Sequence, residues 1–190
     1  MNKPHVTLVL GTARKDRKSE HVARYVFSHL EKRRDMEIEF ADVKEYLLRA
    51  QTIPPWEEND ETRPWRELVA RTDAFVIVTP EYNHGYPGEL KMLLDQDLKG
   101  YVGKPALTCG VSQGVLGGAR VIEHLNQVYF ELGLVSVPYP LRFADVDAFA
   151  QQSNEERDKT YSKRIEKSVQ KLLTYAAHLS GLHAALTKKS

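Results

Sequence analysis

Ala74-Phe75-Val76-Ile77-Val78 runs straight into Thr79-Pro80-Glu81-Tyr82-Asn83-His84-Gly85-Tyr86-Pro87-Gly88, and Glu89-Leu90-Lys91-Met92-Leu93-Leu94-Asp95 then resumes with helical spacing. Five consecutive apolar residues suit a strand buried on both faces, as in a parallel sheet. In α/β proteins ligands sit at the carboxyl ends of strands, so this loop marks the functional edge. Its two prolines, two glycines and two tyrosines suit a rigid rim around a planar ligand.

Working outward, similar apolar runs occur at Val6 to Leu10, Met36 to Phe40, Ala106 to Val111 and Leu134 to Val137. Helical patterns lie between them. Val22, Ala23, Val26, Phe27 and Leu30 follow helical spacing from Ser19, which is expected to act as the N-cap. Further helices are expected over Glu61 to Arg71, Glu89 to Asp95, Gly118 to Leu132 and Asn154 to Ser180. In the last, Ile165, Val169, Leu172, Leu173, Ala176 and Leu179 line one face. Strands separated by helices imply right-handed crossovers and a parallel sheet covered on both faces. The expected fold is a three-layer α/β sandwich of five parallel strands in the flavodoxin-like order 2-1-3-4-5. One domain over 1–190 is expected, and Gln51 to Asp60 reads as a long loop that either connects elements or shapes a substrate pocket.

The 27 Lys and Arg residues nearly balance 26 Asp and Glu, so no global field favours nucleic acid or an anionic membrane. Small molecules and copies of the chain are the expected partners. Cys109 is the single cysteine, which rules out an intramolecular disulfide and a cysteine-based zinc site; no metal is expected. Strand-like sequence by His5 and the lack of an apolar run near ~18 residues lead us to expect a soluble, cytoplasmic protein.

Two more loops follow expected strands. In Gly11-Thr12-Ala13-Arg14-Lys15-Asp16-Arg17-Lys18-Ser19-Glu20-His21, hydroxyls and cations meet a helix start, which suits a phosphate or simply a capped helix beneath a solvated loop. A P-loop is excluded because Arg17, not glycine, precedes Lys18-Ser19, and a dinucleotide fingerprint is excluded because Gly11 is the only glycine before Gly85. Gly110-Val111-Ser112-Gln113-Gly114-Val115-Leu116-Gly117-Gly118 carries four glycines, expected to let backbone approach a ligand. Three such loops at neighbouring strand ends would face one crevice.

From about Val6 to Pro138 these residues resemble the NADPH-dependent FMN reductase family, a flavodoxin-like group with azoreductases, quinone reductases and chromate reductases. Gly11-Thr12-x-Arg14 with Ser19 is similar to its phosphate loop, and Pro80-Glu81-Tyr82-Asn83-x-Gly85-x-Pro87-Gly88-x-Leu90-Lys91 to its flavin signature. The resemblance implies that Thr12, Arg14, Ser19, His21 and Val22 hold an FMN phosphate, partly through backbone N–H groups. It places Pro80, Glu81, Tyr82 and Asn83 against the isoalloxazine, with Ser112 and Gly114 on the other side. It also implies a homodimer or homotetramer in which Leu90, Leu93, Leu94 and part of the helix after Gly118 meet a partner. His21 stands where the family commonly has asparagine, Thr12 replaces serine, and Met92 and Gln96 depart from the pattern beside the expected interface.

The implied activity takes electrons from NADPH or NADH through FMN to a quinone, azo compound, free flavin or oxidised metal ion. No protein acid or base is required, so no catalytic side chain is nominated. The alternatives are a flavodoxin-type electron carrier, which would present an acidic docking face, and a flavin-dependent redox sensor with a protein partner. Arg14, Lys15, Arg17 and Lys18 are the expected cations for a nicotinamide 2′-phosphate.

Overall fold

The structure, a computed structural model, describes residues 3–48 and 52–187; Gln51, at the start of the expected long loop, lies outside them. Four parallel strands form the body of the sheet: β1 (His5–Leu10), β2 (Glu37–Asp42), β3 (Ala74–Pro80) and β4 (Pro105–Val111). Their order is β2-β1-β3-β4, and the outer edge of β4 carries both β5 (Val135–Ser136) and β6 (Leu141–Phe143). The expected order 2-1-3-4-5 is therefore present, with the fifth position split in two.

The split has a local cause. Ser136 pairs with Ala106 and Leu141 with Cys109, so five steps of the edge chain cover three steps of β4 and two residues bulge out. Pro138 and Pro140 have no N–H for the ladder, and Tyr139 between them has φ 70°, a left-handed backbone.

Every residue of β3 and β4 is buried, as their apolar runs predict. Alternate side chains feed two cores. On one face Leu8, Val76 and Cys109 pack with α1 (Ser19–Leu30) and the long α6 (Asn154–Leu179). On the other, Val9, Phe75 and Ile77 pack with α2 (Arg63–Arg71), α3 (Gly88–Leu94) and α4 (Ala119–Leu132). The strand period of two thus builds the three layers. Two short helices were not expected: α5 (Val146–Gln151) before α6, and α7 (Leu182–Thr187) after it. A capping box starts α6, with Ser153 Oγ accepting from Glu156 N–H and the Glu156 carboxylate accepting from Ser153 N–H. No helix among the described residues is long and apolar enough to cross a membrane.

Two expectations need correction. Leu90, Leu93 and Leu94 are buried inside the chain's own second core, so they offer no surface to a partner. The reason is periodicity: on the seven-residue α3, positions i, i+3 and i+4 form the single stripe that faces the sheet. Gln96 is likewise internal, donating its Nε2 to the Tyr46 carbonyl at 2.8 Å. The described part of the long loop is tied by Arg66 of α2, which donates to the carbonyls of Glu57 at 2.7 Å and Gln96 at 2.8 Å.

Candidate functional site

The first loop leaves β1 at Gly11, whose N–H donates to the Val78 carbonyl at 2.9 Å. Arg17 then turns inward. Its guanidinium meets both carboxylate oxygens of Asp42, the last residue of β2, with Nη1–Oδ1 2.7 Å, and also donates to the Thr12 carbonyl. Both side chains are buried. The hydrogen bond to Asp42 holds the guanidinium above its ordinary value against burial. Burial pushes the Asp42 carboxyl up, but Arg17 and the Lys44 backbone N–H pull it below its ordinary value. This fork clamps the loop from beneath.

The clamp sets the start of α1. Lys18 occupies the N-cap position and makes no side-chain cap, which corrects the expectation for Ser19. Ser19 is instead the first helical residue, 3% exposed, and its Oγ has no hydrogen-bond partner. An orphaned buried hydroxyl at the positive end of a helix is suited to an anion.

The second loop is a tight hairpin. Tyr82 and Gly85 exchange two backbone hydrogen bonds of 2.9 Å across Asn83 and His84, which both have positive φ (49° and 67°). Two left-handed residues make a type I′ turn, and asparagine tolerates the first of them. Glu81 anchors the hairpin: its carboxylate accepts from the Arg120 N–H at 3.1 Å and from Arg120 Nη1 at 3.0 Å, capping α4 from outside. Burial pushes the Glu81 carboxyl up, and Arg120 with the Val121 N–H pulls it below its ordinary value. It is an ionised strut. Arg14 lies over the Tyr82 ring, 3.7 Å from the centroid, and the Tyr82 hydroxyl sits 3.3 Å from Thr12 Oγ1. The first two loops are thus stitched together.

The third loop is held by Ser112, whose Oγ donates to the Gly114 carbonyl at 2.8 Å and accepts from the Gly118 N–H at 3.2 Å. Its glycines divide in use. A Cβ on Gly110 would stand 2.7 Å from the Gly118 carbonyl oxygen, whereas one on Gly114 would meet nothing within 4 Å. Gly110 serves chain-to-chain contact, and Gly114 leaves room.

These loops enclose a cleft of about 370 Å³ that Arg14, Ser19, Pro80, Glu81, Tyr82, Asn83 and Ser112 line. Arg17 and Lys18, expected only as cations for a nicotinamide 2′-phosphate, line it too, as do Gln113 and Val146, which the sequence reading did not nominate. Asp147 at the start of α5 ties two of these together, pairing with Lys18 and accepting from Gln113 Nε2 at 3.1 Å. Thr12 stands behind Tyr82 and Arg14. Gly114, also nominated, is not part of the lining, and two nominated residues have side chains that sit apart. His21 is exposed in a neighbouring groove and its N–H donates to the Lys18 carbonyl, while the Val22 side chain is fully buried in the first core. Tyr86 lies outside the cleft as well, between α3 and α4. The cleft's polar end suits an anion, and its hairpin wall suits a flat ring.

The profile of the NADPH-dependent FMN reductase family matches residues 4–146. An NAD(P)H-dependent FMN reductase of Saccharomyces cerevisiae is 30% identical over 157 residues, covering 72% of this chain and 81% of its own. A 2-hydroxy-1,4-benzoquinone reductase of a Burkholderia species is 30% identical over 142 residues, covering 71% of this chain and 75% of its own. Among solved structures, a flavoenzyme NAD(P)H:(acceptor) oxidoreductase of Paracoccus denitrificans superposes with a TM-score of 0.74, covering 92% of this chain and 98% of that one. At 22% identity that likeness speaks for the fold. The matched segment holds the first loop, the hairpin and the third loop, and with them every residue nominated for the cleft; on that span the chain belongs to the NADPH-dependent FMN reductase family.

Proposed function

We propose that the cleft holds FMN with its phosphate against the start of α1 and its ring along the Pro80–Asn83 hairpin. The observation that carries this is the buried, unpartnered Ser19 Oγ in the same cavity as that hairpin. Ser19, Arg14 and Thr12 would serve the phosphate. Pro80, Glu81, Tyr82 and Asn83 would present backbone groups to the ring, with Ser112 and Gly114 opposite; His21 and Val22 have no side chain in reach. Membership of the family makes the chain an NAD(P)H-dependent oxidoreductase with a small-molecule acceptor. We place quinones first among acceptors, before azo compounds, free flavin and oxidised metal ions.

FMN held there by these loops would supply the redox chemistry, hydride acceptance from a nicotinamide and delivery of two electrons to the acceptor. The chain's own work is to orient and to hold. Arg120 keeps Glu81 ionised and engaged, so it is a support for the hairpin and no proton shuttle. His84 is exposed in the turn. The reading includes a single domain working in the cytoplasm as a homodimer or homotetramer, for which the open α3–α4 face with Leu98 and Val128 is the contact we favour.

The test mixes FMN-loaded protein with NADPH or NADH without oxygen. Stoichiometric bleaching of the flavin, reversed by a quinone, is expected; bound flavin that neither nucleotide bleaches would favour an electron carrier or a sensor. A second expectation concerns Ser19→Ala. FMN affinity should fall by about 1.5–3 kcal/mol, the worth of a hydrogen bond to a charged group. The FMN-free protein should lose no stability in urea, because the hydroxyl has no partner to lose. Unchanged FMN affinity would remove Ser19 from the site.

A further inference from the structure

The first loop leaves few cations for a nicotinamide 2′-phosphate. Of the four expected there, Arg17 is spent on Asp42, Lys18 on Asp147, and Arg14 lies on Tyr82, which leaves Lys15. A different cluster stands open. Along the interrupted edge of the sheet, between α4 and α6, runs a groove of about 460 Å³. Arg142, Arg164 and Lys167 line it against the single carboxylate Glu123. Among the described residues none of these three cations has an ion-pair partner.

The groove also offers a ring. The bulge between Pro138 and Pro140 turns Tyr139 outward, 59% exposed, and Ser168 Oγ pins its carbonyl at 2.9 Å. The amines of Lys171 and Lys167 rest over it, 4.6 and 5.2 Å from the ring centroid. Both are on flexible stems and can turn from the ring to a phosphate. The groove adjoins the cleft. A Cβ on Gly117 would stand 2.9 Å from Arg142 Cβ, and Ser112 N–H donates to the Phe143 carbonyl at 3.1 Å, so the third loop is a wall shared by the two cavities.

Unpaired arginines beside an exposed aromatic ring match a purine carrying phosphates: guanidinium for phosphate oxygens, tyrosine for the base. We infer that this edge groove receives the 2′-phosphoadenosine end of NADPH, which crosses the third loop from the flavin cleft. The inference rests on the oxidoreductase reading above. Tyr139 stacks on the adenine, Arg142 and Arg164 take the 2′-phosphate and pyrophosphate, and NADPH is preferred to NADH.

The experiment titrates adenosine 2′,5′-bisphosphate into FMN-loaded protein in a calorimeter, with the native chain and with an Arg142→Ala, Arg164→Ala double variant. Both positions are exposed, so folding is not at stake. We expect the native protein to bind the probe more tightly than ADP, and the double variant to bind it at least about tenfold more weakly. The ratio of kcat/KM for NADPH over NADH should fall by a similar factor. Tyr139→Asn, which keeps a residue tolerant of the left-handed backbone, should weaken the probe while leaving the phosphate preference. No binding to the native protein, or equal binding to native and double variant, overturns the groove. Bleaching of native protein by 1-benzyl-1,4-dihydronicotinamide, which has no adenosine, separates the two readings. If that donor and NADPH both fail to bleach the flavin, the oxidoreductase reading falls; if they bleach it and the probe ignores the arginines, only the groove does.

Discussion

Asp42→Ala is expected to cost the FMN-free protein about 3–5 kcal/mol in urea unfolding at neutral pH, because it strands the buried Arg17 guanidinium without its partner. The loss should reach the cofactor too. Arg17 also bonds the Thr12 carbonyl, so an unheld guanidinium releases the loop that presents Arg14 and Ser19. Asp147→Ala is the control. Its pair with Lys18 is nearly half exposed on each side, and such exposed, solvent-screened pairs contribute little to stability. The pH dependence follows from the sign of the shift. Asp42 has its carboxyl lowered in the folded protein, so it binds a proton less readily folded than unfolded. Its contribution is complete above the unfolded value of about 3.9 and is lost as pH falls through the lower folded value. An Asp42→Ala protein within about 1 kcal/mol of the native one would show that the fork is not buried as described.

Asp42 also shows where sequence reasoning stops. The strand expected to end at Phe40 continues to Asp42, and those two residues bring a carboxylate to the edge where Arg17 waits. Nothing in the run Met36 to Phe40 announces that, since the pairing partner lies 25 positions away. The strands with uninterrupted apolar runs were legible because both faces are buried, leaving no alternation to misread. The fifth was legible only in its first piece, Val135–Ser136 within the run Leu134 to Val137, because two prolines break its ladder and the short β6 that restores it carries no such run. The first and second loops were legible as sequence motifs at the ends of β1 and β3. Their internal supports, Glu81 on α4 and Asp147 on Lys18 and Gln113, were not, for each joins elements far apart in the chain. The error over Leu90, Leu93 and Leu94 came from assigning a partner to a stripe that the sheet already covers. A leucine stripe on a helix flanking a sheet is accounted for by that sheet.

Gly110→Ala is expected to have the second large effect, and for a reason unlike the one that four glycines in a loop first suggest. The added methyl would stand 2.7 Å from the Gly118 carbonyl oxygen, 2.8 Å from that of Gly117 and 2.9 Å from Ile122 Cδ1. None of these can step aside cheaply. Gly110, the penultimate residue of β4, is paired with Thr79 on one side and Arg142 on the other, so β4 cannot retreat. The opposing backbone is held in turn, with the Gly118 N–H on Ser112 Oγ and its φ at 75°. Overpacking of this kind costs about 1–3 kcal/mol, and here the strain is relieved only by pushing the third loop into the cleft. Thermal unfolding should show the loss, and FMN titration should show weakened binding beyond what unfolding explains. Gly114→Ala makes the contrast, since its methyl meets nothing and stability should stay within about 0.5 kcal/mol. Any effect of that variant belongs to the ligand. If Gly110→Ala instead folds and binds FMN as the native chain does, then β4 and the third loop are not in contact, and the shared wall between cleft and edge groove goes with them.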